Sequence, residues 1–231
     1  LKSRTSIVIA LGTAQTLAWA SSFYLPVMLA APMARELGLA RMLLLVMLLF
    51  MLLFMLMGFI STAIATHLPA LIQASGATLG TAVAVAALAG PAQVASPLVE
   101  LGVLNRFSPL LTARLATLGH PLGAACLLLG GPAAAVPFVV LHGLGNGLLT
   151  IVRGTLPLAL FGAQSYGARQ GWIALPGRLV GALSPWLLGL VLERRGVATL
   201  WLTGVLGLGA LATLSLLRLP AAASLRSTVK A

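Results

Sequence analysis

The chain has 231 residues, 60% hydrophobic and 7% charged, and its 14 Lys and Arg against 3 Asp and Glu give a net charge of +11. A water-facing domain carries about 25% charged residues because its surface must be solvated, so this composition excludes a soluble globular protein. The basic residues stand singly or in pairs between apolar runs, which excludes the one-sided patch of a nucleic-acid binder and matches the loop arginines that orient membrane helices.

A helix needs roughly 20 apolar residues to cross a hydrocarbon core of about 30 Å. The first stretch that qualifies is Ile7–Leu29. Lys2 and Arg4 precede it, but it outruns a signal-peptide core and reads as a first span or signal anchor. Pro32, Arg35, Glu36 and Arg41 follow. The second stretch, Met42–Ile72, is too long for one straight span. Its opening, Met42–Met57, is a near-repeat of MLLF, apolar all round and without a small-residue stripe, and reads as lipid-facing filler or a sequence junction. Met47, Met51 and Met55 share one helix face. Thioethers suit Cu(I), but apolar filling is the simpler role, and no metal or other cofactor is expected.

Leu79–Leu98, Leu110–Gly130, Ala133–Ile151, Trp172–Leu192 and Ala198–Leu217 complete an expected seven spans of an all-α polytopic bundle. Pro69 and Gly76 close the second span, and Gly130, Gly131 and Pro132 make a tight turn after the fourth. Residues 153–171, with Arg153, Pro157 and Arg169, read as the longest connector. Gly177, Gly181 and Gly189 on one span, and Gly204, Gly207 and Gly209 on the next, suit close helix packing in lipid. Cys126 lies alone in an apolar run and has no disulfide partner in the chain.

From the second span onward, loops with and without Lys or Arg alternate, with one weak exception near Arg194 and Arg195. That places both ends of the six-span part, including the tail with Arg218, Arg226 and Lys230, on the cytoplasmic side. The first span breaks the pattern, because positive charge flanks it on both sides.

Polar side chains inside a membrane are costly and are functional candidates by default. Glu36, Glu100 and Glu193 all fall at span ends or in loops, so no carboxylate relay is expected. Gln93, His120, His142, Asn146, Arg153 and Arg178 remain as candidates for a substrate pathway. A histidine titrates near neutral pH and suits proton coupling. The competing role is a neutral imidazole bonded to a carbonyl freed by Pro121 or by the glycines around His142. Gly143, Gly145 and Gly147 form no nucleotide fingerprint, since no strand precedes them. With no nucleophile–base pair, zinc spacing or phosphate loop, an enzyme is not expected.

The stretch from Gly145 to Gly196 carries a family resemblance. Asn146 to Gly154 looks like a span-end arginine and glycine motif, Gly177-xxx-Gly181-xx-Ser184-Pro185-xxx-Gly189 like a Gly/Pro-rich helix motif, and Glu193–Gly196 like an acid–base–glycine loop. Together they resemble the C-terminal half of a major facilitator superfamily transporter, and Leu11–Leu39 is similar to the first span of one. The resemblance implies residues 1–40 as a first span and exit loop, 41–220 as a six-span half-transporter bundle and 221–231 as a short tail. Such transporters pair two six-span halves, so it implies a truncated or internally deleted member. A homodimer would restore a pathway between halves. The expected function is secondary transport of a small solute by alternating access in the bacterial inner membrane, with the lipid bilayer and the solute as partners. The rival expectation is an inactive fragment or structural membrane module.

Overall fold

The computed structural model describes residues 41–162 and 166–217. The first span, its exit loop and the tail after Leu217 lie outside them. The described residues form an all-helical bundle: α1 (Arg41–Ala74), α2 (Leu79–Ala86), α3 (Ala89–Gly102), α4 (Pro109–Gly130), α5 (Ala135–Phe161), α6 (Tyr166–Arg195) and α7 (Thr199–Leu216). Four continuous helical stretches are long and apolar enough to cross a membrane, Leu45–Ala74, Leu79–Gly102, Pro109–Phe161 and Tyr166–Leu216. The last two each contain a pair of helices, joined by short 3-10 turns at Gly131–Ala134 and Gly196–Ala198.

Proline chemistry explains where the helices depart from the expected spans. Pro91 has no N–H to give the carbonyl of Ala87, and the third stretch breaks there into α2 and α3. Pro69 and Pro157, by contrast, sit inside helices. α5 therefore runs on to Phe161, and α6 begins at Tyr166. Most of the expected connector at 153–171 is helix.

The MLLF run faces outward on one side only, at Leu45, Leu48 and Leu52. Its four-residue spacing puts Phe50, Leu53, Phe54 and Met57 on one buried side of α1. The Phe50 ring meets Phe54 at 5.9 Å and Phe161 of α5 at 5.7 Å. α1 packs chiefly on α6 and α7, α4 on α5 and α7, and α5 on α4 and α3. Between α5 and the α1–α6 pair the contacts are sparse.

The main interfaces are made by glycine. A Cβ on Gly177 of α6 would lie 2.6 Å from the carbonyl oxygen of Phe54, and one on Gly58 of α1 would lie 2.8 Å from that of Gly177. Removing both side chains lets the backbones touch, which in lipid supplies the packing that the hydrophobic effect does not. Outward faces are apolar instead of charged: Leu129 is 86% exposed, and Trp186 and Trp201 are also open. Water would penalise so much exposed apolar surface, whereas acyl chains would not. The protein is therefore expected to stay in the detergent phase after extraction and to give a strongly helical circular dichroism spectrum there. A water-soluble, β-rich product would contradict this.

Candidate functional site

The sequence His142-Gly143-Leu144-Gly145-Asn146-Gly147 divides α5 into faces. Gly143 and Gly147, one turn apart, face α3: a Cβ on Gly143 would meet the Ala92 side chain, and one on Gly147 would lie 2.5 Å from the Gln93 carbonyl oxygen. That carbonyl has no helical partner, because Pro97 four residues later lacks an N–H. Gly145 faces α4, where a Cβ would lie 2.6 Å from the Ala116 carbonyl oxygen. Ser96 completes the α3 contact by donating to the Leu144 carbonyl at 2.8 Å.

Between these faces runs a polar stripe. His142, Asn146 and Arg153 fall at positions i, i+4 and i+11, within about 40° of one another on the helix wheel. The stripe is about 16 Å long at 1.5 Å per residue, and each residue finds a different neighbour.

At one end, His142 meets His120 of α4 with their Nδ1 atoms 3.0 Å apart. The rings are nearly perpendicular with centroids 5.0 Å apart, and Phe138 packs against both. Both histidines are buried. Neither is held by a carbonyl freed by Pro121 or by the glycines; they bond each other. One Nδ1 must donate and the other accept. His120 Nε2 is buried without a partner. A bare acceptor is tolerated better in a buried site than a bare N–H, which favours His120 as the Nδ1–H donor and leaves its Nε2 as an unprotonated base. Gly207 of α7 is close by: a Cβ there would lie 3.7 Å from His120 Cδ2.

In the middle, Asn146 Oδ1 accepts from Ser61 Oγ of α1 at 2.6 Å, across the sparsely packed boundary. At the far end, Arg153 is half-buried, and Arg178 of α6 is exposed. The start of α6 clasps this end of α5. Pro157 leaves the Arg153 carbonyl without a helical donor, and Gln170 Nε2 donates to it at 2.6 Å. Tyr166 Oη donates to the Gly154 carbonyl at 3.0 Å. Arg169 donates to the Phe161 carbonyl at 2.7 Å while lying 5.7 Å over the Phe161 ring.

Of the six candidates read from sequence, His142, Asn146 and Arg153 form the stripe and His120 bonds it. Gln93 stands apart, half-buried on α3, with its backbone against Gly147. Ser61 and Gln170 were not singled out, since each is an ordinary polar residue whose partner lies far along the chain. His67 was also passed over; it donates from Nε2 to the Pro185 carbonyl at 2.8 Å, tying α1 to α6. Comparison with protein families, characterised proteins and solved structures finds no match to this chain.

Proposed function

We propose that the protein is a secondary transporter that moves a small solute by alternating access, built as a six-span half of the major facilitator kind with a further first span. The observation that carries this reading is the polar stripe on α5. Three costly polar side chains share one face of an apolar helix; His142 bonds His120 of α4, and Asn146 bonds Ser61 across the sparsely packed boundary with α1. Intramembrane polar groups are expensive and are functional candidates by default, although bonds between helices also hold a bundle together. The His120–His142 pair would hold the coupling proton, and Asn146 and Arg153 would line the path. A cytoplasmic C-terminus in a bacterial inner membrane, and a second copy supplying the other half, belong to the same reading.

The rival reading is a structural membrane module. It is favoured by the glycine contacts of α1 with α6 and of α5 with α3 and α4, where backbones touch and leave no slack for sliding.

Proteoliposomes under an imposed inward proton gradient separate the two. Uptake is followed for labelled alanine, glucose, lactate and phosphate. Uptake of at least one above protein-free vesicles is expected, with Arg153→Lys folding and inserting normally but lowering the rate by roughly tenfold or more, because lysine lacks the planar fork of donors. Correctly inserted protein that moves none of them supports the structural module. Full uptake with lysine would reduce Arg153 to an orientation anchor.

A further inference from the structure

We infer that the His120–His142 pair is a latch that passes one proton and then locks, with Phe138 as the positioning residue that keeps it locked. The inference rests on the transport reading only in making that proton the coupling proton.

A neutral imidazole carries one N–H and one bare nitrogen. The two Nδ1 atoms face each other at 3.0 Å, so one ring is the Nδ1–H tautomer and the other the Nε2–H tautomer. The pair therefore has a polarity. With His120 donating, His142 holds its hydrogen on Nε2, and His120 Nε2 is the bare nitrogen, buried without a partner. A proton delivered by water to His120 Nε2 forms an N–H bond there. The His120 Nδ1–H bond then breaks as His142 Nδ1 takes that hydrogen, and His142 Nε2 releases its own to water. One proton enters, one leaves, and both rings end neutral.

The polarity is now reversed. His142 donates, and His120 Nε2 already holds a hydrogen and takes no other. A second proton follows in the same direction only after the rings turn apart and exchange hydrogens with water. The packing resists that turn. Both rings are buried, and so is Phe138, one helical turn before His142. Its ring centroid lies 6.3 Å from that of His120 and 6.2 Å from that of His142. Phe138 is itself seated against α4, since a Cβ on Gly123 would lie 3.3 Å from its Cδ2. On the other side of His120, a Cβ on Gly207 of α7 would lie 2.8 Å from Pro121 Cγ.

The ionisable neighbours leave the pair to itself. On α4, Arg114 and Cys126 each stand six positions from His120, about 9 Å along the axis. On α5, Arg153 is about 16 Å from His142 by the same rise. Glu100 of α3 accepts from Thr112, and α7 has no charged residue. A continuous chain of hydrogen bonds would let a gradient run down, whereas a latch passes one proton for each reset.

The test uses the full chain in proteoliposomes without solute, with a trapped pH dye and a potassium diffusion potential that draws protons inward. The wild type is expected to leak no faster than protein-free vesicles. Phe138→Ala, which frees the rings to turn, is expected to leak roughly tenfold faster or more, the effect of lowering a barrier by about 1.4 kcal/mol. That leak should disappear when His120→Leu and His142→Leu are added. Phe138→Leu, with a smaller loss of volume, serves if alanine unfolds the bundle. Nitrogen-15 spectra of the wild type, assigned with the histidine variants, should show one ring of the pair as the Nδ1–H tautomer and the other as the Nε2–H tautomer. A histidine-dependent leak in the Phe138 variant, with unlike tautomers in the wild type, supports the latch. A leak that survives loss of both histidines, a Phe138 variant as tight as the wild type, a leaky wild type, or two like tautomers each overturn it. No solute enters this measurement, so failure of the latch leaves the uptake assay to decide the transport reading, and failure of uptake with a working latch overturns that reading alone.

Discussion

Replacing Gly147 by alanine is expected to destabilise the bundle by about 1–3 kcal/mol, the usual cost of adding a methyl to a full interface, despite alanine being the better helix former by up to about 1 kcal/mol. The added Cβ would overlap the Ser96 side chain and lie 2.5 Å from the Gln93 carbonyl oxygen. Ser96 could rotate away only by giving up its bond to Leu144, and the Gln93 carbonyl is backbone and has nowhere to go. Relief therefore requires α3 and α5 to separate, which loses contact along their whole interface. Gly204 is the control: a Cβ there meets nothing within 4 Å. Gly204→Ala is expected to be neutral or to stabilise by a fraction of a kcal/mol. Equilibrium unfolding in mixed micelles with increasing dodecyl sulfate, followed by circular dichroism, would compare the two. Equal effects would mean that glycine content reflects sequence bias rather than packing.

Breaking the histidine pair on one side is expected to be costlier than removing it altogether. His120→Leu leaves His142 Nδ1 buried with no hydrogen-bond partner among Phe138 and the α4 backbone. The desolvation of one such group costs about 1–3 kcal/mol. His142→Leu strands His120 in the same way, and its Nε2 is already bare. His120→Leu with His142→Leu removes both polar groups at similar volume, which is close to neutral in a well-packed interior. The double-mutant cycle therefore closes with a coupling of about 1–3 kcal/mol. The function of the pair shows in the stable double variant. If the pair carries the coupling proton, the double variant folds yet loses gradient-driven uptake while retaining exchange of solute across the membrane. Uptake that still follows the gradient would make the pair a structural clasp.

The class of fold was open in the sequence because composition alone decides it: charge at 7% cannot cover a water-facing surface. Helix ends were readable where local chemistry sets them. Leu110–Gly130 was expected, and Pro109–Gly130 is observed, bounded by a proline at its start and paired glycines at its end. Prolines were less decisive, since Pro91 breaks a helix while Pro69 and Pro157 do not. At Pro157 the freed Arg153 carbonyl accepts from Gln170 of α6, and no local pattern announces a partner from another helix. The buried side of the MLLF run was missed for a related reason. Uniform hydrophobicity does not distinguish a helix facing lipid from one at the centre of a bundle, and only the facing glycines of α6 decide between them. His120 and His142 stood out as intramembrane polar residues, but their mutual bond did not, and the i, i+4, i+11 spacing of His142, Asn146 and Arg153 was the signal available for the stripe. Ser61 binds Asn146 from 85 residues away, beyond the reach of periodicity.

The length of α1 bears on the membrane itself. Its apolar stretch, Leu45–Ala74, has 30 residues and so measures about 45 Å, against a hydrocarbon core of about 30 Å. Even leaning at about 40°, the steep end of the usual range, such a helix covers roughly 34 Å. α6, its packing partner, carries Arg169 and Gln170 near its start and Glu193, Arg194 and Arg195 at its end, so its apolar stretch is shorter, and the Gly58–Gly177 contact obliges the two to lean together. The hydrophobic mismatch therefore belongs to α1, and α6 is carried into the same tilt. Because α5 meets that pair only sparsely, a change in acyl-chain length is expected to shift α1 and α6 against α5 more readily than against each other.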